Sequence, residues 1–150
     1  IATVKKINEI CNRMGMVFIY RPHPGDDREL LKKNLPNIQF TDIGEKLEEI
    51  FRKADILISF QSTSLIEAAM RQKMSLQLMN YPIESDNFEK LGVCNKTMET
   101  FDELEDYLAE IIGASSLDKF KLNFNNDYVE TRYNPGKRFL EIIKEIENKK

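Results

Sequence analysis

The chain has 150 residues with a formal net charge of −3, 41% hydrophobic and 31% charged residues. At this length one domain is expected, burying roughly two-thirds of the surface of the unfolded chain. Mixed charge of slightly acidic balance argues against nucleic-acid binding, and no apolar run nears the ~20 residues of a membrane span. Cys11 and Cys94 lack metal-ligand spacing and read as small buried hydrophobes in a reducing cytoplasm, with no metal site expected.

The chain opens on Ile1, not Met, already within a helical pattern, and no apolar core or cleavage site suggests a signal peptide. The expectation is a piece of a longer protein. Val4, Ile7, Ile10, Cys11 and Met14 fall at helical spacing, with Gly15 placed as the stop. The run 16–20 is continuously apolar and of strand length, which predicts a strand covered on both faces. A short helix over 28–33, a strand over 38–41 and a helix with inner face Leu47, Ile50, Phe51 and Ala54 follow. Asp42 and Glu45 are spaced as a capping box for that last helix.

Next come a strand over 56–60, a helix over 65–72 and a strand over 75–79. Tyr81-Pro82 opens a loop and short helix reaching Leu91, before a weak strand over 93–97. Thr100 and Glu103 form a second capping box, for a helix burying Phe101, Leu104, Leu108, Ile111 and Ile112. Residues 115–133 are polar and weakly helical. Asn134-Pro135-Gly136 marks a turn, and a last helix carries Phe139, Leu140, Ile142, Ile143 and Ile146. Alternating strands and helices predict a Rossmann-like three-layer α/β/α domain over 1–150, with a parallel sheet of about five strands.

Ligands of such sheets bind outside the carboxyl ends of the strands. There lie Arg21-Pro22-His23-Pro24, Thr41-Asp42-Ile43-Gly44 and Gln61-Ser62-Thr63-Ser64. The hydroxyl trio opens a helix whose free N–H groups and dipole suit a phosphate. The plainer alternative is that Ser64 caps the helix and Glu67 returns the capping-box bond. His23, the single histidine, is pinned between two prolines that hold it at the strand tip. There it binds a phosphate oxygen, or serves only as a structural residue bonded to a loop carbonyl. Arg21 pairs with the same phosphate or only with Asp26, Asp27 or Glu67. Asp26 and Asp27 suit the start of the following helix. Glu67 reaches a ribose hydroxyl or merely completes a cap, and Asn80-Tyr81-Pro82 lines the cleft with little specific signal.

Two segments carry a resemblance: Arg21-Pro22-His23-Pro24, and Ala54-Asp55 with the strand leading through Ser59 into Ser62-Thr63-Ser64, then Glu67-Ala68-Ala69. Together they resemble the C-terminal domain of GT-B glycosyltransferases of the bacterial surface-polysaccharide type. The polysialyltransferase and Kdo-transferase groups with a His-Pro motif and the CDP-glycerol glycerophosphotransferases are nearest in pattern; UDP-N-acetylglucosamine 2-epimerases share the architecture. The resemblance spans about residues 16–80.

It implies that this half holds a CMP-, CDP- or UDP-linked sugar or polyol as donor substrate, with no separate cofactor. The phosphate contacts it implies fall on His23, Ser62, Thr63 and Ser64, beside Arg21, Pro24 and Glu67. The catalytic base is expected from an N-terminal half of the same protein, so this piece alone should bind weakly and turn over nothing. Cytoplasmic location, peripheral membrane association through the full-length protein and a homodimer through bared apolar surface are further expectations. The family's C-terminal half begins with a central strand that is not seen here. Segments 16–20 and 56–60 are therefore expected to pair directly or approach closely. The competing readings are half of a UDP-sugar 2-epimerase and a non-catalytic flavodoxin-like or receiver-like regulatory module. The second lacks the acidic cluster and lysine of a receiver.

Overall fold

The computed structural model describes residues 1–81, 85–116 and 118–127. In chain order these form α1 (Ala2–Arg13), β1 (Ile19–Tyr20), α2 (Arg28–Asn34), β2 (Gln39–Phe40) and α3 (Leu47–Lys53). Then follow β3 (Ile56–Ser59), α4 (Thr63–Met70), β4 (Met74–Leu78), β5 (Lys96–Met98), α5 (Phe101–Gly113) and a 3-10 turn over Asp118–Phe120. Gly15 ends α1 as its position predicts: with φ at 69° it lets Gly15 N donate to Asn12 O and Met16 N to Cys11 O.

All ladders are parallel. β1 pairs with β2, Ile19 against Gln39, and β4 lies between β3 and β5 with Leu76 opposite Ile58 and Lys96. Alternation along β4 builds the layers. Leu76 and Leu78 enter a core shared with Ile7, Ile10 and Cys11 of α1 and Leu104, Leu108 and Ile111 of α5. On the other face, Leu65 and Ile66 of α4 cluster with Phe88, Val93 and Cys94, and Leu57 of β3 packs against them. Helices thus cover both faces of parallel strands, the Rossmann-like α/β architecture.

Direct pairing of 16–20 with 56–60 does not occur. The ladder partner of β1 is β2, and that of β3 is β4. The two segments share a core without sharing a ladder, since Met16 and Phe18 pack on the same buried cluster as Ile56 and Ile58. This unpaired side explains why only Ile19–Tyr20 of the apolar run is laddered. It also corrects the expectation of two covered faces: Val17 is 81% exposed and Ile19 41%.

Other differences are local. Gly44, at φ 80°, turns the chain, so α3 starts at Leu47, with Glu49 accepting from Lys46 N. Asp42 N does donate to Glu45, but ahead of the helix. Ile112 is exposed, because it stands about 100° around the helix from Ile111. Residues 88–92 are a turn in place of a short helix, and only Asp118–Phe120 is helical among the described residues of 115–127 before 126. The helix expected to carry Phe139 to Ile146 lies outside the described residues.

Candidate functional site at the carboxyl edge of the strands

Tyr81, just beyond β4, joins the ends of β3 and β4 to the start of α1. Its ring stands edge-on to Phe60, the residue after β3, with centroids 5.2 Å apart. Its hydroxyl lies 3.1 Å from Thr3 Oγ1 at the start of α1. The Tyr20 phenol, at the end of β1, is pushed above its ordinary value by burial, with Asp26 and Tyr81 close enough to add to the shift. The carboxyl ends of β1, β3 and β4 and the amino end of α1 therefore share one rim.

From β1 the chain enters a tight turn. His23 N donates to Asp26 Oδ2 at 2.8 Å, Asp26 N to His23 O at 2.9 Å, and Gly25 N to His23 Nδ1 at 3.1 Å. His23 and Pro24 are exposed. A ring held by its own turn is not bonded to a neighbouring loop carbonyl through Nδ1. Asp27 caps α2 by accepting from Leu30 N, as its placement at the helix start predicts.

From β3 the chain reaches Ser62, the N-cap of α4, whose hydroxyl accepts from Ser64 N and lies 2.7 Å from Ser64 Oγ. The cap is thus Ser62 in place of Ser64. Glu67 makes an i,i+4 pair with Arg71 at 3.8 Å, not a capping box. Thr63 occupies the first helical position and is exposed. Here α4 offers a partial positive charge and a cluster of hydroxyls. The Asn80 side-chain oxygen, just after β4, is buried with no hydrogen-bond partner among the described residues.

Arg21 is exposed and finds a carboxylate that the spacing did not suggest. Lys53 and the Asp42 amide bond Glu45 and hold its carboxyl below the ordinary range, and Arg21 adds a weaker pull. The three acids proposed for Arg21 are engaged elsewhere: Asp26 with His23 N, Asp27 with Leu30 N and Glu67 with Arg71. Glu45 is the residue of this rim that pattern reading missed. Its signal was available only as one half of a capping box, the bond from Asp42 N to Glu45 that forms ahead of the helix.

A cavity of about 500 Å³ lies at the opposite edge, lined by Glu48, Phe51, Arg52, Arg71 and Lys73. Its cations stand at or just past the carboxyl ends of α3 and α4, where they complement the negative helix ends. That accounts for them without a ligand. Among the described residues no helix is long and apolar enough to cross a membrane.

Two curated proteins are similar to this chain, both named UDP-N-acetylglucosamine–N-acetylmuramyl-(pentapeptide) pyrophosphoryl-undecaprenol N-acetylglucosamine transferase. One is from Prochlorococcus marinus strain NATL2A, 27% identical over 127 residues, and the other from strain NATL1A, 26% identical over 127 residues. Each alignment covers 77% of this chain and 35% of the relative, so the chain spans about a third of the length of the curated relatives it matches. No protein-family model and no solved structure matches. The likeness is distant, and it supports a glycosyltransferase-like chain.

Proposed function

We propose that this chain is the donor-binding half of a GT-B glycosyltransferase and that its donor is a UDP-linked sugar. The observation that carries the reading is the edge-on contact of Tyr81 with Phe60, which sets the strand end leading into α4 beside that of β4, with Tyr20 at the end of β1 within electrostatic reach of Tyr81. The names of the two relatives favour uridine over cytidine among the nucleotides that the motifs allow.

The diphosphate of the donor rests on the first turn of α4, where the Thr63 N–H and the hydroxyls of Thr63 and Ser64 donate to it, the Ser64 and Leu65 N–H groups being engaged by Ser62. His23 adds a donor from the facing turn, and Arg21 a positive charge. In the transfer an acceptor oxygen attacks the sugar carbon, and the bond from that carbon to the phosphate oxygen breaks. The acceptor proton goes to a base outside this half. Charge grows on the departing phosphate, and preformed donors aimed at it stabilise that change more than they stabilise the bound donor. Glu67 remains the candidate for the ribose.

Calorimetric titration of the chain with UDP, CDP and CMP tests this reading. UDP should bind tightest, and His23→Ala should weaken it about tenfold or more, the scale of a hydrogen bond to a charged group. Preference for CDP would favour a glycerophosphotransferase. Absence of binding by all three would overturn the proposal.

A further inference from the structure

We propose that the Gly25 backbone amide is a positioning group that fixes the tautomer of His23, so that His23 presents Nε2–H to the donor phosphate as a neutral hydrogen-bond donor. The inference deepens the donor-binding reading and rests on it for the identity of the ligand. Its structural half stands alone.

Gly25 N donates to His23 Nδ1 at 3.1 Å. A ring nitrogen that accepts an N–H carries no proton, so in neutral His23 the proton sits on Nε2. The arrangement is overdetermined. His23 N donates to Asp26 Oδ2, and Asp26 N returns to His23 O, closing the turn around the imidazole. Pro22 and Pro24 restrict the backbone on either side. The ring therefore points one nitrogen into its own turn and keeps the other as a donor. The two nitrogens are thereby assigned different tasks.

Residue 25 has room for a small side chain. A Cβ placed there would sit 3.4 Å from His23 Nδ1 and 3.8 Å from its Cε1, against the ring edge that the amide must reach. Alanine is tolerable at those distances and keeps the amide hydrogen. Proline removes the hydrogen altogether. The pair of substitutions separates the hydrogen bond from the bulk.

His23 is the only histidine, so its ring nitrogens can be read without ambiguity in the 15N-labelled chain. At about pH 8, above the ordinary histidine range, Nδ1 should resonate as unprotonated and Nε2 as protonated, with a bias well beyond that of a short histidine peptide. Gly25→Ala should keep this pattern, and Gly25→Pro should relax to the peptide mixture. With UDP as probe, Gly25→Pro should bind about threefold to tenfold more weakly, the scale of one neutral hydrogen bond. A peptide-like tautomer mixture in the unsubstituted chain would overturn the inference. So would loss of the pattern in Gly25→Ala as much as in Gly25→Pro, or equal UDP affinity in Gly25→Pro and the unsubstituted chain. A fixed tautomer in a chain that binds no nucleotide would remove the donor-binding reading and leave the Gly25–His23 relationship standing.

Discussion

The edge of the Tyr81 ring meets Phe60 at 5.2 Å between centroids, joining the residue that follows β3 to the loop that follows β4. Such a pair contributes about 0.5–1.5 kcal/mol beyond the area it buries. Here it also sets geometry, because Ser62 begins α4 two residues after Phe60. The helix start proposed to receive the phosphate is braced by an aromatic contact outside the helix.

Ser62 has two roles that one substitution removes and two measurements read. Ser62→Ala removes the bond to Ser64 N and should cost about 1 kcal/mol of stability, typical of a lost N-cap. Urea unfolding measures that loss. In nucleotide titration the same variant should lose affinity, because Ser64 Oγ loses its 2.7 Å partner and its fixed orientation.

Gln77 is fully buried, and its amide is satisfied on every side that the structure shows. Nε2 donates to Asp86 O, while Oε1 accepts from Phe88 N and the Thr97 hydroxyl. Gln77→Leu keeps the volume but takes away the acceptor of the buried Phe88 N–H and of the Thr97 hydroxyl, so a loss of about 2–3 kcal/mol is expected. Chemical denaturation checks it. A near-neutral result would mean that water replaces the amide.

Gln72 ends α4 at φ 57°, a left-handed conformation that a side chain disfavours. Its N–H donates to Ala69 O, and Lys73 N donates to Ala68 O, the arrangement of a glycine helix stop. Gln72→Gly should raise stability by about 0.5–1 kcal/mol, since relief of strain exceeds the added freedom of the unfolded chain. The unfolding midpoint in urea reports the sign directly.

Acid should weaken the α5 cap. Glu103 accepts from the amides of Glu99 and Thr100, and these bonds hold its carboxyl below the ordinary value of 4.5. A folded-state pKa below the unfolded one means that the unfolded chain binds the proton first. The contribution is therefore whole above pH 4.5 and is lost as pH falls through the lower folded value. Melting temperature followed from neutral pH downward should drop in that window, and Glu103→Gln should flatten part of the drop.

Much of this architecture was legible because hydrophobic period and turn chemistry agree. Gly15, Asp27 and the Thr100–Glu103 box stop and start helices where their local chemistry predicts. What was illegible depended on partners distant in sequence. Three consecutive hydroxyl residues can each cap a helix, so only the backbone at Ser62 decides among them. The split between β1 and β3 reflects which strand has a hydrogen-bonding neighbour, and an apolar run looks the same either way. Tyr81 gains its place from Phe60 and Thr3, and Glu45 from Lys53, none of which a motif encodes. The turn at His23 was half visible. The prolines marked it as rigid, but the Gly25 bond to the ring needed coordinates.

The most direct test follows the His23 ring and the Thr63 and Ser64 amides together by NMR during one titration with UDP. The account predicts that all three signals shift and saturate at the same midpoint, as one phosphate group bound by both elements requires. Shifts confined to one element, or two distinct midpoints, would contradict a shared site.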